Sequence, residues 1–227
     1  MAEGTRRPSR PDRPAGGTWD PPAARRPLAL RIAIVVVAVV ALWFLFVRTP
    51  GPGSIPASAL EAAEAAGCDD LERPVLADPG GDHLSPGASF DYPDRPPAAG
   101  PHDPSPLPGE RRIYDEPVSE TRAVHNLEHA EVLIWYRPAT EGGISDVVLD
   151  ALREVARNRD GVILAPYPDL PDGRALALVA WNTRWLCPAG LPAEAATEIA
   201  QGFVRAYRGT TNAPEAPRGL LGPLFVR

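Results

Sequence analysis

Lysine is missing altogether from this sequence of 227 residues, whose 23 basic side chains are all arginine. That is a bias of composition and carries no functional conclusion. Cysteine is scarce: Cys68 and Cys187 are the only two, and neither belongs to a Cys-x-x-Cys pair, which speaks against a thioredoxin-like redox centre. A single Met speaks against a Met-rich copper carrier. No internal repeat is present. Basic clusters interleaved with aromatics are lacking too, and without cations to neutralise phosphates no nucleic acid is expected as a partner. What the chain has in excess is 20 Gly and 29 Pro. At this length they exclude a large multidomain enzyme and most helical bundles, and leave one compact domain flanked by segments that do not pack.

The charge is divided along the chain. Residues 1–47 carry seven Arg and three acids, while residues 48–227 carry 16 Arg and 26 acids, so a basic leader precedes an acidic body within a net charge of −6. Between them runs Leu28 to Val47, LALRIAIVVVAVVALWFLFV, interrupted only by Arg31. As a helix it would rise about 30 Å, the thickness of a bilayer core. Arg31 lies close enough to one end to snorkel to the headgroups. The Arg excess on the N-terminal side keeps that side cytoplasmic and turns the body outward. A cleaved signal is the competing reading, because Ala57-Ser58-Ala59 has a small-x-small form. The apolar run, however, is longer than the ~7–15 residues of a signal core, which favours an uncleaved anchor. The expected location is therefore the cell membrane, single-pass, with the lipid bilayer as a partner. In an oxidising compartment the two Cys are expected to bridge, two separate buried thiols being the alternative, and so long a loop would stabilise the fold by roughly 4–5 kcal/mol.

Residues 1–27 hold six Pro and no aliphatic side chain larger than Ala, which predicts a disordered tail. Ala57 to Ala66 reads as a short Ala/Glu helix ended by Gly67. From Pro74 to Pro117 there are 11 Pro, a density that excludes long helices and central strands; His83, Tyr92 and His102 lie in this stretch. Val132 to Tyr136 reads as a buried strand. Ser145 caps a helix with Val148, Leu149, Leu152, Val155 and Ala156 at three-to-four spacing. Val162–Leu164 and Ala175–Trp181 read as two strands joined as a hairpin through Tyr167–Gly173. A last helix starts at Pro192 and aligns Ala196, Ile199, Phe203 and Tyr207 before Gly209.

This order predicts an α+β fold: a small two-layer domain with a mostly antiparallel sheet and two packed helices, preceded by a single transmembrane helix and a disordered tail. The expected organisation is a tail over 1–27, the transmembrane helix over 28–48, a juxtamembrane linker and short helix over 49–67, the exported domain over 68–215 and a second tail over 216–227.

All four His, His83, His102, His125 and His129, lie within the first part of the exported body. Neutral imidazole suits zinc, copper, iron or nickel, and three or four such ligands, or three with a carboxylate, complete a typical shell. In Val124-His125-Asn126-Leu127-Glu128-His129, a helical conformation would put both His on one face. Glu128 beside them could ligate, orient a ring, or act as a base. His-x-x-Glu-His is also the inverzincin pattern, but those sites need a helix continuing through the motif, and here a strand-favouring run begins three residues later. The alternative to a metal site is a structural network in which the His and Asn126 lock the Pro-rich stretch against the sheet.

Tyr92-Pro93, Pro96-Pro97-Ala98-Ala99-Gly100-Pro101-His102, Tyr114, Ala123 to His129, Tyr136, Ala165-Pro166-Tyr167, Ala180-Trp181 and Ala213-Pro214-Glu215 together resemble, in order and spacing over about residues 68–215, the bacterial family known as domain of unknown function 3105. Its members are mostly single-pass or exported proteins without an established activity. The resemblance implies that His83, His102, His125, Glu128 and His129 belong to the family pattern and that Cys68 with Cys187 is a family bridge. The chain departs from that pattern at Ala98-Ala99, where the family has Thr-Ser, and at Ala130, where it has Gly; a positive φ there would strain Ala.

The function expected from these residues is a membrane-anchored, outward-facing domain that binds copper or zinc through His125 and His129, with His102 third and His83 or Glu128 completing the shell. One alternative is a non-catalytic cell-envelope interaction module with a structural His network and an unidentified protein partner. Another is a zinc-dependent hydrolase with Glu128 as base.

Overall fold

The computed structural model describes residues 34–39, 53–110, 112–210 and 213–216. The chain divides into two units, Met1–Arg48 and Thr49–Arg227. In the first, residues 34–39 are helical, with their side chains exposed. Among the described residues no helix is long and apolar enough to cross a membrane. The expected spanning segment 28–48 lies outside the described residues apart from 34–39, as do the expected tail 1–27 and residues 217–227.

The second unit runs α1 (Ala57–Ala66), α2 (Glu120–Glu128), β1 (Val132–Tyr136), α3 (Asp146–Arg157), β2 (Val162–Pro166), β3 (Arg174–Ala180), β4 (Thr183–Pro188) and α4 (Ala193–Tyr207). The fold is α+β, with a four-stranded mixed sheet in the order β2-β1-β3-β4. The α3 helix begins where expected, with the Ser145 hydroxyl accepting from the Val148 N–H at 3.4 Å. It carries the chain from β1 back to a parallel β2, as a crossover of this kind does.

The expected β2–β3 hairpin is not formed, because β1 lies between those strands and pairs with β3 antiparallel. The loop after β2 passes over the end of β1, where the Tyr167 N–H donates to Tyr136 O at 2.8 Å and the Arg137 N–H to Ala175 O at 2.9 Å. The real hairpin is β3–β4. Its link is Trp181-Asn182, with Asn182 at φ +51°, a conformation that Asn tolerates better than most residues. Strand β4 has no counterpart in the sequence-based expectation. Its Arg184 interrupts the apolar pattern, and that side chain is held by Glu72 at 2.7 and 2.9 Å, Pro96 O at 3.2 Å and Asp94 at 3.4 Å.

The expectation of two layers with two packed helices is also corrected. On one face α1 and α3 both pack against α4, and Ile134, Leu164, Leu178 and Trp185 of the sheet meet Leu152, Ile199 and Phe203. The close approach of α1 to α4 needs Gly202, where a Cβ would stand 2.4 Å from that of Ala59. On the other face α2 and the Pro-rich stretch cover Leu133, Trp135, Ile163 and Val179 with Leu127, Tyr92 and Leu107. The sheet is therefore covered twice. Every residue of β1 and β2 is buried, which is why these strands read as continuous apolar runs rather than alternating ones.

Two asparagines clamp the Pro-rich layer. Asn182 receives the Leu76 N–H at 2.7 Å and donates to Leu76 O at 2.9 Å, and Asn126 receives the Leu107 N–H at 2.8 Å and donates to Leu107 O at 3.4 Å. Cys68, just beyond α1, is bonded to Cys187 of β4 across a separation of 119 residues. Both sheet edges carry extra chain. Glu72 and Arg184 exchange N–H···O bonds of 2.9 and 3.0 Å along β4, while on β2 the Tyr114 N–H donates to Leu164 O at 2.9 Å and the Leu164 N–H to Arg112 O at 2.8 Å.

Candidate metal centre

The motif sits on α2. Ser119 starts this helix by accepting from the Arg122 N–H at 3.4 Å, and His129 caps its other end. The helix then stops sharply: the Ala130 N–H donates to Leu127 O and the Glu131 N–H to Asn126 O, both at 3.0 Å, the paired closure that usually places Gly in the left-handed position. Ala130 occupies that position at φ +64°, so the departure from Gly falls where it matters. Left-handed backbone costs an L-residue about 1–2 kcal/mol, and burying the Ala130 methyl among the second-face apolar residues offsets about 0.8 kcal/mol of it. The corner allows a strand to begin two residues later while His125 and His129 keep one helix face, their rings parallel within 5° and 4.8 Å apart.

The other two His come from the Pro-rich layer, which local pattern alone does not assemble. Its backbone does so by a short parallel bridge: the Leu84 N–H donates to His102 O at 2.7 Å and the His102 N–H to Asp82 O at 3.0 Å. The result is a triad, His83, His102 and His125, whose ligand atoms all lie within 4.8 Å of one another. Glu128 adjoins it on the His102 side, with Oε2 2.9 Å from His102 Nε2. His129 adjoins it on the His125 side, with the two Nε2 atoms 2.9 Å apart. All five residues singled out from the sequence thus stand in one neighbourhood, three at its centre and two beside it.

Backbone carbonyls fix the ring tautomers. His102 Nδ1 lies 2.9 Å from Gly100 O and His125 Nδ1 lies 2.6 Å from Asp103 O. A carbonyl oxygen only accepts, so each Nδ1 carries the hydrogen, and in the neutral ring each Nε2 offers a lone pair to the cluster. Gly100 is needed for this, since its φ is +119° and a Cβ would stand 3.3 Å from the Tyr92 ring. The Tyr92 hydroxyl in turn donates to Pro101 O at 2.6 Å. Asp103 is buried and accepts from the Gly87 N–H at 2.7 Å and the Ser105 N–H at 2.8 Å. Those bonds hold its carboxyl below the usual range.

Asp103 and Gly81, where a Cβ would stand 3.1 Å from Glu128 Oε1, had no role in the sequence reading, and Gly100 entered it only as part of the family resemblance. Only Asp103-Pro104-Ser105 has a local signature, that of a side-chain-closed turn. Glu215, whose Oε2 lies 3.5 Å from His129 Nε2, likewise entered only through that resemblance, with no role assigned to it.

Burial lowers the pKa of His125, with the neighbouring His129 and His102 adding to the effect and the Asp103 carbonyl and Glu128 opposing it. NMR titration of the ion-free chain is therefore expected to place the His125 midpoint below the ordinary imidazole value of about 6.5; a midpoint above it contradicts this environment. In that window the unfolded chain binds the proton more tightly. The His125 contribution to stability is thus present above the unfolded pKa and is lost as pH falls through the folded one.

Two buried nitrogen donors of fixed tautomer, a buried carboxylate and the exposed rings of His83 and His129 fit a borderline-soft cation. Fold and site together define a class: a small disulfide-linked α+β domain in which a Pro-rich layer and a helix end frame a His triad that could hold a metal ion. The family described as protein of unknown function (DUF3105) matches residues 83–219, more than half of the chain, and the chain belongs to that family. The matched span takes in all four His, Glu128 and Glu215. Neither a curated protein nor a solved structure matches the chain.

Proposed function

We propose that this chain is a cell-envelope domain that binds one copper or zinc ion through His83, His102 and His125, with Glu128 beside them, and is held at the outer face of a membrane by the apolar run 28–47. The observation that carries the metal reading is the contact between His102 Nε2 and Glu128 Oε2 at 2.9 Å. With the His102 hydrogen committed to Gly100 O at 2.9 Å, the neutral ring turns a lone pair towards a carboxylate. Two acceptors facing one another at a fully buried imidazole repel unless a cation joins them. The anchor rests on the length of the run and the Arg excess before it, and the outward orientation is in keeping with a disulfide.

Zinc or copper added to the full-length chain in detergent is expected to bind at about one equivalent and to raise the thermal midpoint, as any ligand selective for the folded state does. Uptake under about a tenth of an equivalent of either ion overturns the reading.

One specific alternative is favoured by the same 2.9 Å contact. A second proton on His102 would make a buried imidazolium–carboxylate pair and a purely structural network, which predicts no metal dependence of folding. Use of Glu128 as the base of a hydrolase is less well supported, because its Oε2 is directed at His102.

A further inference from the structure

Two of the three triad rings and the carboxylate beside them are shielded. His102, His125 and Glu128 are buried, whereas the side chain of His129 is 45% exposed and that of Glu215 56% exposed. The donor atoms that all lie within 4.8 Å of one another belong to His83, His102 and His125. His129 stands outside this group and meets it at His125, Nε2 to Nε2, at 2.9 Å. We propose that His129 and Glu215 form an outer docking point from which the ion is passed to the triad, two of whose rings are buried, by ligand exchange at His125. This rests on reading the triad as a metal site.

The distances suit a hand-over. Bonds from a zinc ion to imidazole nitrogen are about 2.0–2.1 Å, so an ion between two Nε2 atoms 2.9 Å apart bonds to both at once and is at no stage left bare. His125 Nε2 has no hydrogen, because its Nδ1 donates to Asp103 O. The contact between the two rings is therefore made in the ion-free chain by a hydrogen on His129 Nε2. The incoming ion takes that place, and the proton moves through solvent to His129 Nδ1, leaving the ring neutral. The bond to His129 then breaks as a bond to His102 or His83 forms, and the ion sheds a water. No electron is transferred.

Glu215 supplies the opposite charge at the surface, 3.5 Å from His129 Nε2. Its own N–H donates to Glu128 O at 3.1 Å, which places the carboxylate over the end of the motif. His83 is exposed too, but it is one of the triad and so belongs to the final shell.

An outer point changes rates, whereas a resident ligand changes affinity. Zinc held by a chromophoric chelator is presented to full-length chain, and both the transfer rate and the final equilibrium are recorded. For His129→Ala and Glu215→Gln the expected result is loading slowed at least about tenfold, removal by excess chelator slowed by the same factor, and stoichiometry and Kd within about threefold of wild type. Unchanged rates in both variants overturn the proposal. Slowed loading with Kd weakened in proportion and removal unchanged or faster also overturns it, because His129 is then a permanent ligand. A wild-type chain that takes up no zinc overturns the metal reading itself and this proposal with it.

Discussion

Replacing Cys68 and Cys187 together with Ser is expected to lower the thermal midpoint of the chain by roughly 10–20 °C. The bond closes a loop across 119 residues. In the chain-entropy account, cutting a loop of that length returns about 4–5 kcal/mol of freedom to the unfolded state, and for a domain of this size each kcal/mol moves the midpoint by about 2–4 °C. The folded state has other fastenings at the same place. The Asp69 N–H donates to Leu186 O at 2.8 Å, the Trp185 Nε1–H to Asp69 O at 2.9 Å, and Arg174 pairs with Asp69. The variant should accordingly unfold from the same structure, only earlier. Cys187 belongs to the helical face of the sheet and the His cluster lies over the opposite one, so metal uptake at low temperature should not change. Differential scanning calorimetry with a parallel metal titration checks both halves; a midpoint lowered by less than about 4 °C would mean that these neighbouring contacts, not the loop constraint, hold the two segments together.

Metal affinity in His102→Ala and His102→Gln is expected to fall by at least about 100-fold, beyond what loss of a residue supporting a ligand usually costs. The two variants should separate in stability. Ala leaves a cavity where the fully buried His102 ring stood, a loss of about 2–5 kcal/mol in the ion-free chain. The Gln side chain fills part of that space and its amide gives the Glu128 carboxylate a donor, so it should recover much of the difference. Affinity and stability would then move independently, which a purely structural network does not predict. Retention of wild-type zinc and copper affinity in His102→Gln would remove His102 from the shell.

The parts legible from sequence are those with local causes. The α1 helix ends at Gly67, α3 is capped by Ser145, and α4 buries Ala196, Ile199, Phe203 and Tyr207 as their spacing predicts. The pairing of the two Cys followed from compartment chemistry. Strand pairing was not legible, because β2, returned by the α3 crossover, takes one edge of β1 and β3 takes the other, a choice that no local pattern records. Strand β4 was hidden by Arg184, whose partner Glu72 is 112 positions away. In the site, four His crowded into one stretch pointed to a cluster, but nothing in a Pro-rich segment without periodicity says that residues 82–84 pair with His102. The carbonyls of Gly100 and Asp103 that set the rings are backbone groups, and the identity of a side chain does not announce them.

The extra chain along both sheet edges has a consequence for crowding. An open edge is a template on which identical copies add strand to strand. Here Glu72 is bonded to Arg184 on the β4 side, and Arg112 and Tyr114 to Leu164 on the β2 side, while helices and the Pro-rich layer cover the two faces. Copies concentrated side by side would meet through loops and helix surfaces and find, among the described residues, both outer strands of the sheet already bridged.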